Sequence, residues 1–97
     1  MPEVTITHHA RGDGGRYVAA VAGIEHNGHL DWEPLGENIR VATHTIVPRA
    51  IGGQGVAARL VDALVADARA QSFRIVPQCS YVERLFQRHP EWAELHA

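Results

Sequence analysis

The chain has 97 residues, enough for one domain with a modest core and too few for two. Hydrophobic residues make up 45% and charged ones 21%, the balance of a soluble globular protein, and no apolar run approaches the roughly 18 residues of a membrane span. The formal net charge is -2, and all nine basic residues are scattered arginines, which argues against the basic stripe of a nucleic-acid surface and leaves no lysine side chain at all.

The first residues, MPEVTITHHA, lack the basic and apolar segments of a secretory signal, and a single cysteine excludes an internal disulfide. A reducing cytoplasm is the expected compartment. VTITHHA (4–10) is rich in β-branched residues and reads as a first strand, followed by a turn at RGDGG (11–15). RYVAAVAGI (16–24) is a second strand, and the Asn-Gly pair of HNG (26–28) predicts a two-residue hairpin turn. HLDWEPL (29–35) is a third strand that Pro34 confines to an edge or a strand end. After a turn at GEN, NIRVATHTIV (38–47) is a fourth strand.

The period then changes. From Gln54 to Gln71, the residues Val56, Leu60, Val61, Leu64, Val65 and Ala68 recur at helical spacing. FRIVP (73–77) is a fifth strand, and a second helix runs from Ser80 until His89-Pro90 stops it, with EWAEL (91–95) forming a last turn. The fold class is therefore α+β: an antiparallel meander, a strand–helix–strand crossover and a short C-terminal helix, all in one domain over residues 1–97.

Between the fourth strand and the long helix lies VPRAIGGQGVAARL (47–60). Gly52, Gly53 and Gly55 stand where the first N–H groups of a helix are unpaired and its dipole is positive, the place at which backbone alone can hold a phosphate. The competing reading is a plain flexible connection. A Walker loop is excluded because Gly-Lys-Ser/Thr is absent. The stretch Gly53 to Ala58 fits the loose pattern G-x-G-x-x-[GA], but no acid ends the fifth strand, so a dinucleotide site is not expected.

This loop resembles the pyrophosphate loop of the GNAT acetyltransferases, Gln/Arg-x-x-Gly-x-Gly/Ala, laid over Gly52-Gly53-Gln54-Gly55-Val56-Ala57. Gly55 and Ala57 match, whereas Gly52 replaces the usual Gln or Arg. The resemblance extends to the short, single-domain branch of that family through His44-Thr45-Ile46-Val47-Pro48, through Pro77-Gln78-Cys79-Ser80-Tyr81-Val82 and through Pro90-Glu91-Trp92. It implies a GNAT-like fold that binds acetyl-coenzyme A or coenzyme A. The pyrophosphate would lie on Gly52, Gly53, Gln54, Gly55, Val56 and Ala57. The pantetheine arm would pass between splayed fourth and fifth strands beside Ile46 and Val47, with Tyr81 near its end.

Cys79 immediately precedes a helix, where the dipole favours the reactive thiolate. The resemblance makes it an acetyl-accepting nucleophile, while the plain reading is a buried cysteine serving as a small hydrophobe. Strict alternation along the fourth strand places Ala42, His44 and Ile46 on one face and Val41, Thr43 and Thr45 on the other. His44 is then either a base within reach of Cys79 or a histidine bonded to backbone. His8 and His9 point to opposite faces, His26 and His29 flank a turn and are expected in solvent, and no metal-ligand spacing occurs, so no metal is expected. Tyr81 and Trp92 are either stacking partners or core, and Trp32 either core or part of a binding face. The expected function is acyl transfer from acetyl-coenzyme A to an unidentified amine acceptor. The alternatives are a coenzyme A-binding module without turnover and a small interaction protein that uses an exposed strand edge; neither nucleic acid nor membrane is an expected partner.

Overall fold

The computed structural model describes residues 3–52 and 55–97. Four strands follow one another antiparallel, β1 (Val4–Arg11), β2 (Gly14–Val21), β3 (Asn27–Pro34) and β4 (Ile39–Ile46). A 3-10 turn at Arg49–Ile51 leads into α1 (Val56–Gln71), which crosses back so that β5 (Arg74–Pro77) lies parallel to β4. Then come α2 (Ser80–Arg88) and a 3-10 segment, Pro90–Leu95. The sheet order is β1-β2-β3-β4-β5, so the expected meander, crossover and closing helix are all present. No helix among the described residues is long and apolar enough to cross a membrane.

Alternation decides which face of the sheet is covered. Tyr17, Ala19 and Val21 of β2, Leu30 and Trp32 of β3, Ala42 of β4 and Ile75 of β5 are buried, and the helical stripe Val56, Leu60, Val61, Leu64, Val65 and Ala68 of α1 belongs to the same core. The intervening residues, among them Arg16, Val18, His29 and Asp31, face the other way and are only partly covered.

Two glycine-bearing stretches behave differently from the turn reading. Asn27 and Gly28 are strand residues of β3, paired with Ala20 and Ala19, and the chain reverses earlier, at Ala22 to His26. There Gly23 takes φ 80° and the Ile24 N–H donates to the Val21 carbonyl. Gly28 is needed for proximity: a Cβ on it would stand 3.3 Å from the Ile46 carbonyl and 3.4 Å from Val47 and Val56. Of RGDGG, only Gly12 and Asp13 form the turn, because Arg11 already pairs with Gly14. Pro34 ends β3, as one of the two expected readings has it, in a strand flanked on both sides.

Gly15 makes room for Trp32, whose indole nitrogen would lie 2.5 Å from a Cβ at position 15. Trp32 is thus core and not a binding face. Its Nε1–H donates to Nε2 of His8 at 3.0 Å, and the His8 ring stacks on Tyr17 at 4.4 Å. The Arg40 guanidinium lies 3.9 Å from the Trp32 ring centre and 4.1 Å from that of Phe73. It donates to the Tyr17 oxygen at 3.2 Å, and the Tyr17 hydroxyl donates in turn to Asp67 at 2.6 Å. This chain of contacts ties β1, β2, β3 and β4 to α1.

Two outcomes follow for stability. Gly15→Ala should lower stability by about 1–3 kcal/mol through overpacking against Trp32, read as a drop in melting temperature. Burial, then the nearby Arg40 charge, holds His8 below the ordinary histidine pKa of 6.5. The unfolded chain therefore takes up the proton first as pH falls, so stability should decline below about pH 6.5 and be flat above it. His8→Gln should weaken that pH dependence in denaturant titrations.

Candidate active site

β4 and β5 are hydrogen-bonded neighbours only over Ile39 to Ala42 and Arg74 to Pro77. Pro77 has no N–H to continue the ladder. The last link across the gap is the Cys79 N–H, which donates to the Ala42 carbonyl at 2.9 Å. Beyond it, His44 to Ile46 pair with β3 alone, and the two strands part. Ile46, 52% exposed, stands on the open part of β4, while the neighbouring Val47 packs on the core.

A bulge sets the orientation of β4. Opposite β3, the register passes from Asp31–His44 directly to Trp32–Ala42, leaving Thr43 as the extra residue. Residues paired across antiparallel strands share a face. Thr45, opposite Leu30, therefore joins Ala42 on the face that carries α1, and His44, opposite Asp31, joins the other. This corrects the strict alternation that grouped Ala42, His44 and Ile46. The Thr43 hydroxyl donates to the Asp31 carbonyl at 3.2 Å, within the bulge.

Cys79 is the N-cap residue of α2, and its carbonyl accepts the first helical bond from Glu83. Its half-buried thiol lies 3.5 Å from the Thr45 hydroxyl. Partial burial pushes the thiol pKa up, but hydrogen bonding from the Thr45 hydroxyl, then from the backbone N–H groups of Val82, Tyr81 and Thr45, outweighs it and leaves the pKa below the ordinary cysteine value. The bulge thus brings Thr45 to the thiol, and His44 lies on the opposite face of the strand. Sequence reasoning missed Thr45, since an extra strand residue leaves no mark on propensity or periodicity. Tyr81 is half-buried against the core.

His44 opens instead into a cleft of about 700 Å3 on the uncovered face, with Arg16, Asp31, Thr43 and Gln78 among its walls. Arg16 donates to both Asp31 oxygens, at 2.6 and 3.1 Å. Burial tends to raise the Asp31 pKa, but the Arg16 hydrogen bonds and charge prevail and hold it below the ordinary carboxylate value. His29, expected in solvent, is half-buried with Nε2 3.8 Å from Asp31, and burial followed by the Arg16 charge lowers its pKa. His26 is exposed. Trp92 is buried, packed on Phe86 and His89, and so belongs to the core.

At the start of α1, Gly55 is the N-cap residue in a left-handed conformation, φ 73°, which favours glycine. Among the described residues, its chain neighbours aside, nothing lies within 4 Å of where its Cβ would be. Among the described residues no side chain caps the helix, and no acid occupies its first turn, where the N–H end of the dipole is positive. Val56 is buried beneath this end and Ala57 is half-buried. The Gly52 N–H is already used, donating to the Arg49 carbonyl at 3.2 Å. Gly53 and Gln54, expected in the same loop, lie outside the described residues.

A helix start behind a left-handed glycine, a pair of parallel strands that part after four residues and a thiol at their fork are thus the features of this part of the molecule. A family model described as GCN5-related N-acetyl-transferase matches residues 16–95, from β2 through the last 3-10 segment. That span includes the bulged strand, the glycine loop and Cys79. The chain belongs to the GCN5-related N-acetyltransferase family.

Proposed function

We infer that this protein binds acetyl-coenzyme A and passes the acetyl group through a thioester on Cys79 to an amine acceptor. The observation that carries the reading is a thiol of lowered pKa at the N-cap of α2, in the fork where β4 leaves β5. The left-handed Gly55 and the positive start of α1, free of acids in its first turn, suit a pyrophosphate, which the backbone N–H groups of Val56 and Ala57 would hold. By the family resemblance, Gly52, Gly53 and Gln54 complete that loop. Ile46 and Val47 would flank the pantetheine arm, and Tyr81 would stand near its end.

Acetyl-coenzyme A supplies an activated acyl thioester when bound. The Cys79 thiolate attacks its carbonyl carbon; an Sγ–C bond forms, the original C–S bond breaks, and the departing thiolate takes up the proton that Cys79 released. Thr45 donates its hydroxyl hydrogen to the thiolate before the attack and again when the thiolate returns. The acceptor amine then forms a C–N bond as the Sγ–C bond breaks. Its proton passes to solvent, since His44 opens to the cleft on the other face of β4 from the thioester.

The second reading is a coenzyme A-binding module without turnover. The separation of His44 from Cys79 across β4 favours it, since the thiol then has a hydroxyl and backbone amides beside it but no imidazole.

Coenzyme A at about 100 times its Kd should stabilise the fold by about 2.7 kcal/mol, seen as a rise in melting temperature. Asn and Asp both tolerate the left-handed conformation at position 55 but differ in charge. Gly55→Asp should abolish the rise and Gly55→Asn should retain much of it. No rise in the native protein would remove both readings.

The absence of lysine makes the covalent step easy to follow by intact mass. With acetyl-coenzyme A and no acceptor, the protein should gain one acetyl group that neutral hydroxylamine releases. Cys79→Ser should lose the labile adduct and keep coenzyme A binding, and Thr45→Val should slow its formation. Binding without any adduct would select the module reading.

A further inference from the structure

β1 is an edge strand with nothing on its outer side among the described residues except one arginine. The Ala22 N–H donates to the Glu3 carbonyl, which fixes the phase of the β1–β2 ladder. In an antiparallel pair, hydrogen-bonded and non-bonded residues alternate. Thr5, Thr7, His9 and Arg11 therefore turn their backbone groups toward β2, and Val4, Ile6, His8 and Ala10 turn theirs outward. Arg59 Nη2 agrees with this phase, reaching the outward Val4 carbonyl at 3.5 Å. VTITHHAR has no lysine, no proline and no bulge, and its one fixed charge, Arg11, stands at its end.

We propose that β1 is the interface for a second copy of this chain, added antiparallel across a two-fold axis at Thr7. The outward groups and the charges at the two ends of the strand set the register. Centring the axis on Thr7 sets Val4 against Ala10 and Ile6 against His8 of the second copy, so every outward residue finds an outward partner. It also sets Glu3 against Arg11 of the second copy, at both ends and on one face, since Glu3, Thr5, Thr7, His9 and Arg11 alternate together. The hydrogen-bond phase requires the axis to pass through a residue, and the charges select Thr7 among the candidates. On the other face Ile6 lies beside His8 of the second copy, extending the partly buried row of Val4 and Ile6 that packs on the core.

The long, exposed Arg59 contact to Val4 is the one bond that must yield. The two-fold axis runs perpendicular to the sheet, so the α1 helices of both copies lie on the same side of one continuous sheet. The forks between β4 and β5 remain at its far ends, clear of the seam. The pairing is independent of the catalytic reading.

Sedimentation velocity across a concentration series tests this, with mass expected to approach twice the 10.6 kDa of one chain. Glu3→Arg and Arg11→Glu should each weaken association by roughly tenfold, by turning two attractive pairs into repulsive ones. The double charge swap should restore it, which no other interface would produce. Ala10→Pro removes an outward donor without touching the β1–β2 ladder, and should give a monomer whose melt remains cooperative. In the native protein, amide exchange at Ile6, His8 and Ala10 should slow as concentration rises. A native chain that stays monomeric, or a dimer indifferent to these substitutions, overturns the proposal.

Discussion

Thr43 stands in β4 opposite no residue of β3, and the backbone absorbs it between the Asp31 and Trp32 pairings. Everything distal to that residue changes face. Without it, His44 would sit over α1 and Thr45 would face the cleft. With it, the Thr45 hydroxyl meets Cys79 while the imidazole of His44 shares a face with the Arg16–Asp31 pair. Bulges bend and twist the strand that carries them, and this one lies just where β4 loses β5 as a neighbour. The fork and the assignment of side chains to its two faces therefore share a local origin.

The bulge rests on a rigid base. Trp32, the first residue past it on β3, fills the space above Gly15, bonds His8 and lies against the Arg40 guanidinium. Arg40 carries its charge in the core region because two rings and the oxygens of Tyr17 and Gln71 receive it. Tyr17 keeps its proton: burial raises its pKa, and the hydrogen bond to Asp67 raises it further. Such a network allows little slippage between β2, β3 and β4, since a one-residue shift would move Trp32 off Gly15 and out to solvent.

Much of this was legible beforehand. The change from period 2 to period 3.6 after Pro48 located α1 within two residues of its observed start, and the apolar and β-branched stretches between turn signals located all five strands. Cys79 at a helix start was likewise readable from the apolar spacing that follows it. What escaped was local and steric. Asn27-Gly28 has the composition of a hairpin turn, but Gly28 serves the close approach of β4 and α1, and the reversal passed to Gly23. The extra residue in β4 was invisible because Thr and His are equally at home on either face of a half-covered strand. The position of His44, and with it the relation of imidazole to thiol, was lost with that one uncounted residue.

The two margins of the sheet are unlike each other. Along β5, the chain returns after Leu95: His96 forms a parallel bridge with Ile75, and the Ala97 N–H donates to the Ile75 carbonyl at 2.8 Å. His96 and Ala97 thus engage that margin at Ile75, whereas among the described residues only Arg59 reaches the outer side of β1. A molecule with two bare margins could stack head to tail without limit. One with a single bare margin, used isologously, reaches a closed point group at two copies and has nothing left to propagate. In the proposed pairing, the His96 and Ala97 contacts at Ile75 would therefore keep the β5 margin from accepting a further copy.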